Sequence, residues 1–144
     1  MPWPLPYAAR FRIIALSSRR TCTNMDPRNF RCAVLSAVKH DYVARGVASH
    51  PRFELAVAAD DPEVPGWVHE RNRQFADAHR IPYVRDVEHA LREFDTQVAI
   101  VSPEAERHCA LSLRAVLAGK HVIQDKPLAT WTSNSCRARS TSRT

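Results

Sequence analysis

The sequence lacks the patterns that would assign it to a membrane, secreted or zinc-binding protein. The apolar stretch at 94–101 is broken by Asp95, Thr96 and Gln97, and no apolar run approaches the ~20 residues of a membrane span. The four cysteines form no C-x-x-C pair of the kind that zinc knuckles use. The chain does not open with a compact apolar segment and a small-residue cleavage site. We therefore expect a cytoplasmic protein with no metal site and no membrane partner.

Glycine is also scarce, since the chain has 3 glycines in 144 residues and the first of them is Gly46. Glycine lets backbone N–H groups approach a phosphate closely, which is why dinucleotide-binding loops read G-x-G-x-x-G. That fingerprint is absent from this sequence. A nucleotide site in this chain would have to bind phosphate by other means.

The net charge of +6 comes from the two ends of the chain. Residues 1–31 hold six Lys or Arg and one acid, and residues 131–144 hold three Arg and no acid. Residues 32–130 hold twelve Lys or Arg and fourteen acids, so the middle of the chain is mildly acidic. Because a nucleic-acid-binding protein carries its basic stripe on the folded part, we expect no nucleic-acid partner.

Composition divides the chain into three parts. Residues 1–24 are rich in Arg and Ser and contain three early prolines, and we interpret them as a disordered extension before Met25. Residues 131–144 are rich in Ser, Thr and Arg and have no aliphatic side chain larger than that of Ala138, which predicts a disordered tail. We expect the folded domain at residues 25–130.

Within that part, short apolar runs alternate with helical patterns. The predicted strands are 32–35, 53–59, 82–84, 97–101 and 121–124. Four helices are predicted between them, and Asp41, Asp86 and Ser102 are expected to cap the first, third and fourth. This alternation predicts an α/β fold with a doubly wound parallel sheet, which is a Rossmann-like architecture.

The fourth helix carries two more expectations. Pro103 is predicted at N1, the first helical position, and Gly119 falls where a C′ glycine ends a helix. Its predicted buried stripe consists of Ala105, Cys109, Leu113, Val116 and Leu117.

In such a sheet, ligands bind at the carboxyl ends of the strands. After the first strand, Lys39 and His40 either supply charge to a phosphate or are solvated loop residues. After the second, Asp60 stands near the ~20-residue offset of an acid that binds an adenosine ribose, or it opens the turn before Pro62. After the fourth strand, Ser102 is expected to cap a helix, with ligand contact as an addition to that role.

The fifth strand is followed directly by Lys126. A lysine at this place could donate a proton or orient a substrate hydroxyl, although a strand-end lysine is commonly a surface residue.

Three segments carry a resemblance to a known family. The residues 99–103 (Ala-Ile-Val-Ser-Pro), His108, and the run 118–129 (Ala-Gly-Lys-His-Val-Ile-Gln-Asp-Lys-Pro-Leu-Ala) resemble the N-terminal Rossmann domain of the Gfo/Idh/MocA oxidoreductases. These are relatives of glucose–fructose oxidoreductase and inositol dehydrogenase. Their domain typically has a Thr-Pro-Asn loop after strand four, then Ala-Gly-Lys-His-Val, then Glu-Lys-Pro after strand five.

The resemblance implies roles for particular residues. It implies that Lys126 is a catalytic residue beside the nicotinamide and the substrate, and that Pro127 is a structural proline of the cofactor site. It further implies that Asp60 contacts the adenosine ribose, and that Ser102 and Pro103 lie in the loop beneath the cofactor. The implied cofactor is NAD or NADP, with NAD favoured because a carboxylate repels a 2′-phosphate.

The sequence departs from the family pattern at the cofactor loop. Ser36, Val38 and Asp41 stand about where the fingerprint glycines belong, so Ser36, Val38, Lys39 and His40 are the cofactor-loop candidates. Asp125 takes the place of the family's Glu, and Glu104 takes that of its Asn.

The resemblance also implies an activity. Family enzymes oxidise sugar- or polyol-like substrates in a second α/β domain, whereas the match here stops at about Ala129. We therefore expect a truncated nucleotide-binding domain that has little or no activity unless a second domain supplies the substrate site. The alternative is a non-catalytic Rossmann-like module that binds another nucleotide or a protein partner.

Overall fold

The computed structural model describes residues 29–130, which form a parallel sheet with helices on both faces. The expected extension at 1–24 and the expected tail at 131–144 lie outside this range. The strands are β1 (Phe30–Ala37), β2 (Phe53–Ala59), β3 (Tyr83–Val84), β4 (Val98–Ser102) and β5 (His121–Gln124). The helices are α1 (Asp41–Ala48), α2 (Gly66–His79), α3 (Val87–Glu93) and α4 (His108–Leu117), with a 3-10 turn (Ala105–Arg107) just before α4.

All strands pair in parallel in the order β3-β2-β1-β4-β5. The chain moves outward from β1 to β3 and then returns to add β4 and β5 on the other side of β1. This topology confirms the predicted doubly wound α/β class. It puts the carboxyl ends of all five strands on one edge, and the strand order reverses between β1 and β4.

The sheet is buried on both faces because its central strands are continuously apolar. On one face, α3 and α4 cover side chains such as Leu35 and Val101. On the other, α1 and α2 cover side chains such as Val34 and Ile100. Because helices cover both faces of the sheet, β1 and β4 show no alternation between apolar and polar residues.

Local signals predicted several boundaries correctly. The strands at 53–59 and 121–124 have the predicted limits. Asp86 accepts a hydrogen bond from the N–H of His89 at 2.9 Å and so caps α3. Gly119 has φ +75° and ends α4, because the N–H of Lys120 binds the carbonyl of Ala115 and that of Gly119 binds Val116.

Two predicted caps are wrong. His40, and not Asp41, occupies the N-cap position of α1, and Asp41 is its first helical residue. Ser102 does not cap a helix, because β4 continues through Ser102, which pairs with Ala37. The backbone is still extended at Glu104, so the chain reaches the 3-10 turn and then α4 beyond Pro103.

The predicted buried stripe of α4 is also wrong. The helix begins at His108, several residues later than predicted, and its inward face carries His108, Leu111 and Ala115. Leu113, Val116 and Leu117 are exposed instead. None of the helices between residues 29 and 130 has both the length and the apolar character that crossing a membrane requires.

Candidate functional site

The crevice at the switch point is bordered by the end of β1, where the sequence has no glycine. Ser36 is fully buried and has φ +62°, a left-handed conformation that glycine adopts without steric cost. Ser36 therefore adopts a glycine-like backbone conformation within β1, at the point where the pairing with β4 shifts register. Val38 is buried as well, and its carbonyl accepts a hydrogen bond from Arg71 at 3.4 Å.

Asp60 lies at the end of β2 and is fully buried. Its Oδ1 accepts from Nη1 of Arg107 at 2.6 Å and from the N–H of Asp61 at 2.9 Å. Its Oδ2 accepts from Nδ2 of Asn72 at 2.9 Å and from Nη2 of Arg107 at 3.3 Å. The carboxylate expected to bind a ribose is thus bound by groups of the protein itself.

Arg107 extends from the turn before α4 across the end of β1. Its Nη2 donates to Oγ of Ser36 at 3.0 Å and its Nε donates to Glu104 at 2.9 Å. Burial lowers the pKa of Arg107, but hydrogen bonding and charge from Asp60, with a smaller effect of Glu104, outweigh this and raise it above its usual value. The guanidinium is therefore a fixed positive charge at the switch point.

Asn72 joins the ends of β1 and β2 from the middle of α2. Its Oδ1 accepts from the N–H of Ala37 at 2.6 Å, and its Nδ2 also donates to the carbonyl of Val68 at 2.9 Å. All of these groups are buried. The amide thereby fixes the backbone at the start of the β1–α1 connection.

A second cluster joins the start of α1 to the turn after β5. Asp125 accepts hydrogen bonds from the hydroxyl of Tyr42 and from the N–H of Lys126, the latter at 2.7 Å. Nδ1 of His40 lies 3.2 Å from the same carboxylate. The Tyr42 hydroxyl, then the Lys126 N–H, lowers the pKa of Asp125, and the same contact raises the pKa of Tyr42.

His108 braces this turn from the start of α4. Its ring nitrogens lie 2.7 Å from the carbonyl of Pro127 and 3.0 Å from the carbonyl of Pro103. The ring is fully buried and packs edge-on against His40, with centroids 6.0 Å apart. The imidazole therefore lies between the loops after β4 and β5, and in its neutral form it donates to one of these two carbonyls.

The remaining candidates border the crevice in different ways. Lys39 is exposed, and its N–H donates to the carbonyl of Ser102 at 3.2 Å. Ser102 is fully buried, and its hydroxyl has no hydrogen-bond partner among residues 29–130. Lys126 is exposed, and within the same part of the chain its Nζ makes no hydrogen bond.

A cavity of about 440 Å³ opens between the connection after β2 and the connection after β4. Its apolar wall includes Trp67, which is exposed, and Val64. Its charged lining consists of Asp61, Glu63, Glu104, Glu106 and Arg107. Carboxylates therefore outnumber the single guanidinium around this cavity.

The structure thus brings the predicted residues together as two clusters. Ser36 and Asp60 belong to the cluster at the ends of β1 and β2. His40 and Asp125 belong to the cluster at α1 and β5, from which the backbone of Lys126 continues. Among residues 29–130, no group of three His, Cys, Asp or Glu side chains is arranged to hold a metal ion.

Sequence reasoning missed Arg107, Asn72 and Tyr42 as members of these clusters. Asn72 left a signal, because it lies four residues after Val68 and three before Phe75, on the face of α2 that these apolar residues mark as buried. Arg107 left no signal of its place in the cluster, since Asp60 and Ser36 are 47 and 71 residues away in the sequence.

Comparison with known proteins identifies a family. The GFO_IDH_MocA family model, described as an oxidoreductase family with an NAD-binding Rossmann fold, matches residues 35–141. No curated protein matches the sequence.

Solved structures share the fold at low sequence identity. The WlbA dehydrogenase of Chromobacterium violaceum, in complex with NADH and UDP-GlcNAcA, superposes with a TM-score of 0.62 at 18% identity, over 76% of this chain and 31% of that one. The UDP-N-acetylglucosamine 3-dehydrogenase of Acidithiobacillus ferrooxidans gives 0.57 at 22%, over 70% and 29%. Biliverdin reductase of Synechocystis, with biliverdin and NADP+, gives 0.56 at 19%, over 72% and 30%. The chain spans about three-tenths of the length of these proteins.

Proposed function

Because the chain belongs to the Gfo/Idh/MocA oxidoreductase family through its NAD-binding Rossmann domain, we propose that it binds NAD(H) across the carboxyl ends of its strands and serves a dehydrogenase of sugar- or polyol-like substrates. The observation that carries this proposal is the junction at Asp125, which joins the start of α1 to the turn bearing Lys126. That junction supports a crevice in which phosphate and nicotinamide would be neighbours.

The residues of the crevice fit a dinucleotide in several respects. Within residues 29–130 the buried hydroxyl of Ser102 has no hydrogen-bond partner, and a ligand at the end of β1 would supply one. Lys39 and His40 would offer charge to the pyrophosphate at the N-terminus of α1. Lys126 would orient a substrate hydroxyl or transfer its proton, and Pro127 and Pro103 would hold the two loops beneath the nicotinamide. When bound at these residues, the cofactor would supply the hydride acceptor or donor.

The acidic lining of the 440 Å³ cavity supports NAD over NADP. This cavity lies beside Asp60 and Arg107, where the adenosine would bind. Asp61 is paired with Arg114 and Glu104 with Arg107, but Glu63 and Glu106 form no ion pair among residues 29–130 and would repel a 2′-phosphate. The proposed preference for NAD therefore depends on the acidic lining of the cavity, whereas the sequence suggested only a role for Asp60.

The substrate site would come from residues beyond this domain, since the related structures are more than three times as long as the matched part. Hydride transfer needs the substrate to be held in a productive geometry, which the crevice alone does not provide. We therefore expect weak or no turnover from this chain by itself, in the cytoplasm or in the test tube, together with measurable cofactor binding.

Titration with NADH and NADPH, followed by thermal unfolding, tests the proposal. At a hundredfold excess over Kd, a ligand that binds the folded state alone raises the free energy of unfolding by about 2.7 kcal/mol. We expect NADH to produce this stabilisation at a lower concentration than NADPH. We expect Glu106→Gln to bring the two concentrations closer together. Stabilisation by ATP but by neither dinucleotide would favour the non-catalytic module, which the missing glycines also favour.

A further inference from the structure

Arg107 lies where a bound dinucleotide would have to pass. Its side chain starts on the 3-10 turn after β4, crosses the end of β1 at Ser36 and ends on Asp60 at the end of β2. In a doubly wound sheet the pyrophosphate lies over the first loop and the adenosine ribose lies beside the end of β2. The guanidinium therefore stands between the groups that would receive the ribose and the phosphates.

Asp60 has no acceptor position left for a ribose. An ionised carboxylate offers about four lone-pair positions. All are taken, two by Arg107, one by the N–H of Asp61 and one by Asn72. Asn72 is itself fixed by the carbonyl of Val68 and the N–H of Ala37, and the Asp61 donor is backbone. Arg107 is the donor that can leave, because its long side chain is about one-quarter exposed, with a relative accessibility of 26%.

A guanidinium that leaves Asp60 keeps only Glu104 as an anionic partner, at 2.9 Å from its Nε, and its two Nη groups need another acceptor. A diphosphate meets this need, since guanidinium groups bind phosphate oxygens through two parallel N–H bonds. It would also arrive at a place that lacks the usual donors, because the β1–α1 connection contains no glycine. Ser36, at 3.0 Å from Nη2, marks how close Arg107 already is to that connection.

We propose that Arg107 is a phosphate-binding residue that exchanges partners when a dinucleotide binds: it leaves Asp60 for the pyrophosphate, and Asp60 then accepts the ribose hydroxyls. This inference rests on the proposed function and assigns its phosphate contact to a side chain of the β4–α4 connection. The exchange keeps the guanidinium beside an anion in both states, and it leaves Asp60 hydrogen-bonded to the ribose hydroxyls, the N–H of Asp61 and Asn72. A ligand that supplies only the pyrophosphate, or only the ribose hydroxyls, must therefore compete with the Arg107–Asp60 pair.

The test compares the binding of inorganic pyrophosphate and NADH by calorimetry. Arg107→Lys keeps a positive charge near Asp60 but loses the planar pair of donors. We expect this variant to bind both probes at least about tenfold more weakly, which is the loss of a charge-assisted hydrogen bond. Arg73→Lys is the matched control, because Arg73 forms an exposed pair with Glu70 on the outer side of α2, and we expect it to bind like the unchanged chain.

A second variant moves the affinity for pyrophosphate in the opposite direction. Asp60→Asn releases Arg107 from its competing anion, so pyrophosphate should bind more tightly than it does to the unchanged chain. NADH should gain less than pyrophosphate, because the ribose loses its carboxylate. Thermal unfolding without ligand, measured beside each titration, reports whether each variant is folded.

The outcomes separate the two proposals. If the unchanged chain binds neither probe, the proposed function and the exchange are both wrong. If it binds NADH, and folded Arg107→Lys binds NADH equally well or more tightly, the exchange alone is overturned and Arg107 is a structural residue or an obstacle. If folded Asp60→Asn binds pyrophosphate no better than the unchanged chain, Arg107 and Asp60 do not compete with the ligand, which also overturns the exchange.

Discussion

The Nδ2 of Asn72 donates to Oδ2 of Asp60 over 2.9 Å, and both side chains are fully buried. The same amide accepts from the N–H of Ala37. One side chain of α2 therefore ties the carboxyl ends of β1 and β2 together at the switch point. The hydrogen bonds of Asn72 form within the protein and need no ligand. They set where the β1–α1 connection begins.

Asn72→Ala should destabilise the domain strongly. The substitution leaves a buried carboxylate oxygen and a buried backbone N–H with one partner fewer, and each unsatisfied group costs about 1–3 kcal/mol. We expect the free energy of unfolding in urea to fall by about 2–4 kcal/mol. Gln74→Ala, on the exposed face of the same helix, should change it by less than about 0.5 kcal/mol. Equal losses for the two variants would contradict the proposed importance of Asn72.

Gly119 and Gly46 should respond to alanine with opposite signs. Neither position has an atom within 4 Å of an added Cβ, so packing does not decide the result. Gly119 has φ +75° at the end of α4, where alanine costs about 1–2 kcal/mol. Gly46 lies within α1, where alanine should stabilise by about 0.5–1 kcal/mol. Urea unfolding of both variants measures the difference, and a stabilised Gly119→Ala would contradict the left-handed cap.

Leu111 and Leu117 distinguish the observed from the predicted inner face of α4. Leu111 is 1% exposed and Leu117 is 68% exposed. Leu111→Ala should lower the free energy of unfolding by about 2–5 kcal/mol because it opens a cavity between α4 and the sheet. Leu117→Ala should lower it by less than about 0.5 kcal/mol. The reverse ranking in chemical denaturation would restore the stripe predicted from the sequence.

Glu88 should make stability depend on acidity. Its hydrogen bond with Arg114 lowers the pKa of Glu88 below the ordinary value of 4.5, although burial acts the other way. A carboxyl whose pKa is lower in the folded state stabilises it fully above the unfolded value, and this is lost as the pH falls through the folded pKa. The unchanged chain should therefore lose stability below pH 4.5 more steeply than Glu88→Gln.

Glu93→Gln provides the control for this measurement, because Glu93 is exposed on the same helix. We expect its stability to follow the unchanged chain as the pH is lowered. The interpretation fails if Glu88→Gln and Glu93→Gln give the same acid profile. In Glu88→Gln, Arg114 keeps its ion pair with Asp61 at 2.8 Å, so its guanidinium still has an anionic partner.

Elements signalled by neighbouring residues were predictable. The strands at 53–59 and 121–124, the Asp86 cap and the end of α4 at Gly119 all follow from residues within a few positions of one another. The start of α4 was not predictable in this way. Ser102 and Pro103 have the pattern of a helix start, but pairing of Ser102 with Ala37 extends β4 through that point.

Several residues of the candidate site were predictable from the sequence, but their contacts were not. Position at strand ends was enough to select Ser36, Asp60, Asp125 and Lys126, because parallel strands deliver such residues to one edge. It could not show that Asp60 is already bound, since Arg107 comes from a different connection. It also could not show that Asp125 is held by Tyr42 and His40, which lie more than eighty residues earlier.

The sequence by itself determined the alternation of strands and helices, the parallel sheet and the family resemblance, because these depend on apolar periodicity, local caps and short motifs. The tertiary structure alone decided which charges meet. Residues far apart in the chain come within hydrogen-bond distance only after the crossovers bring the ends of β1, β2 and β5 together. The hydrogen bonds between Arg107 and Asp60 occupy donors of the guanidinium and acceptor positions of the buried carboxylate. That pairing therefore decides how the two residues can receive a ligand.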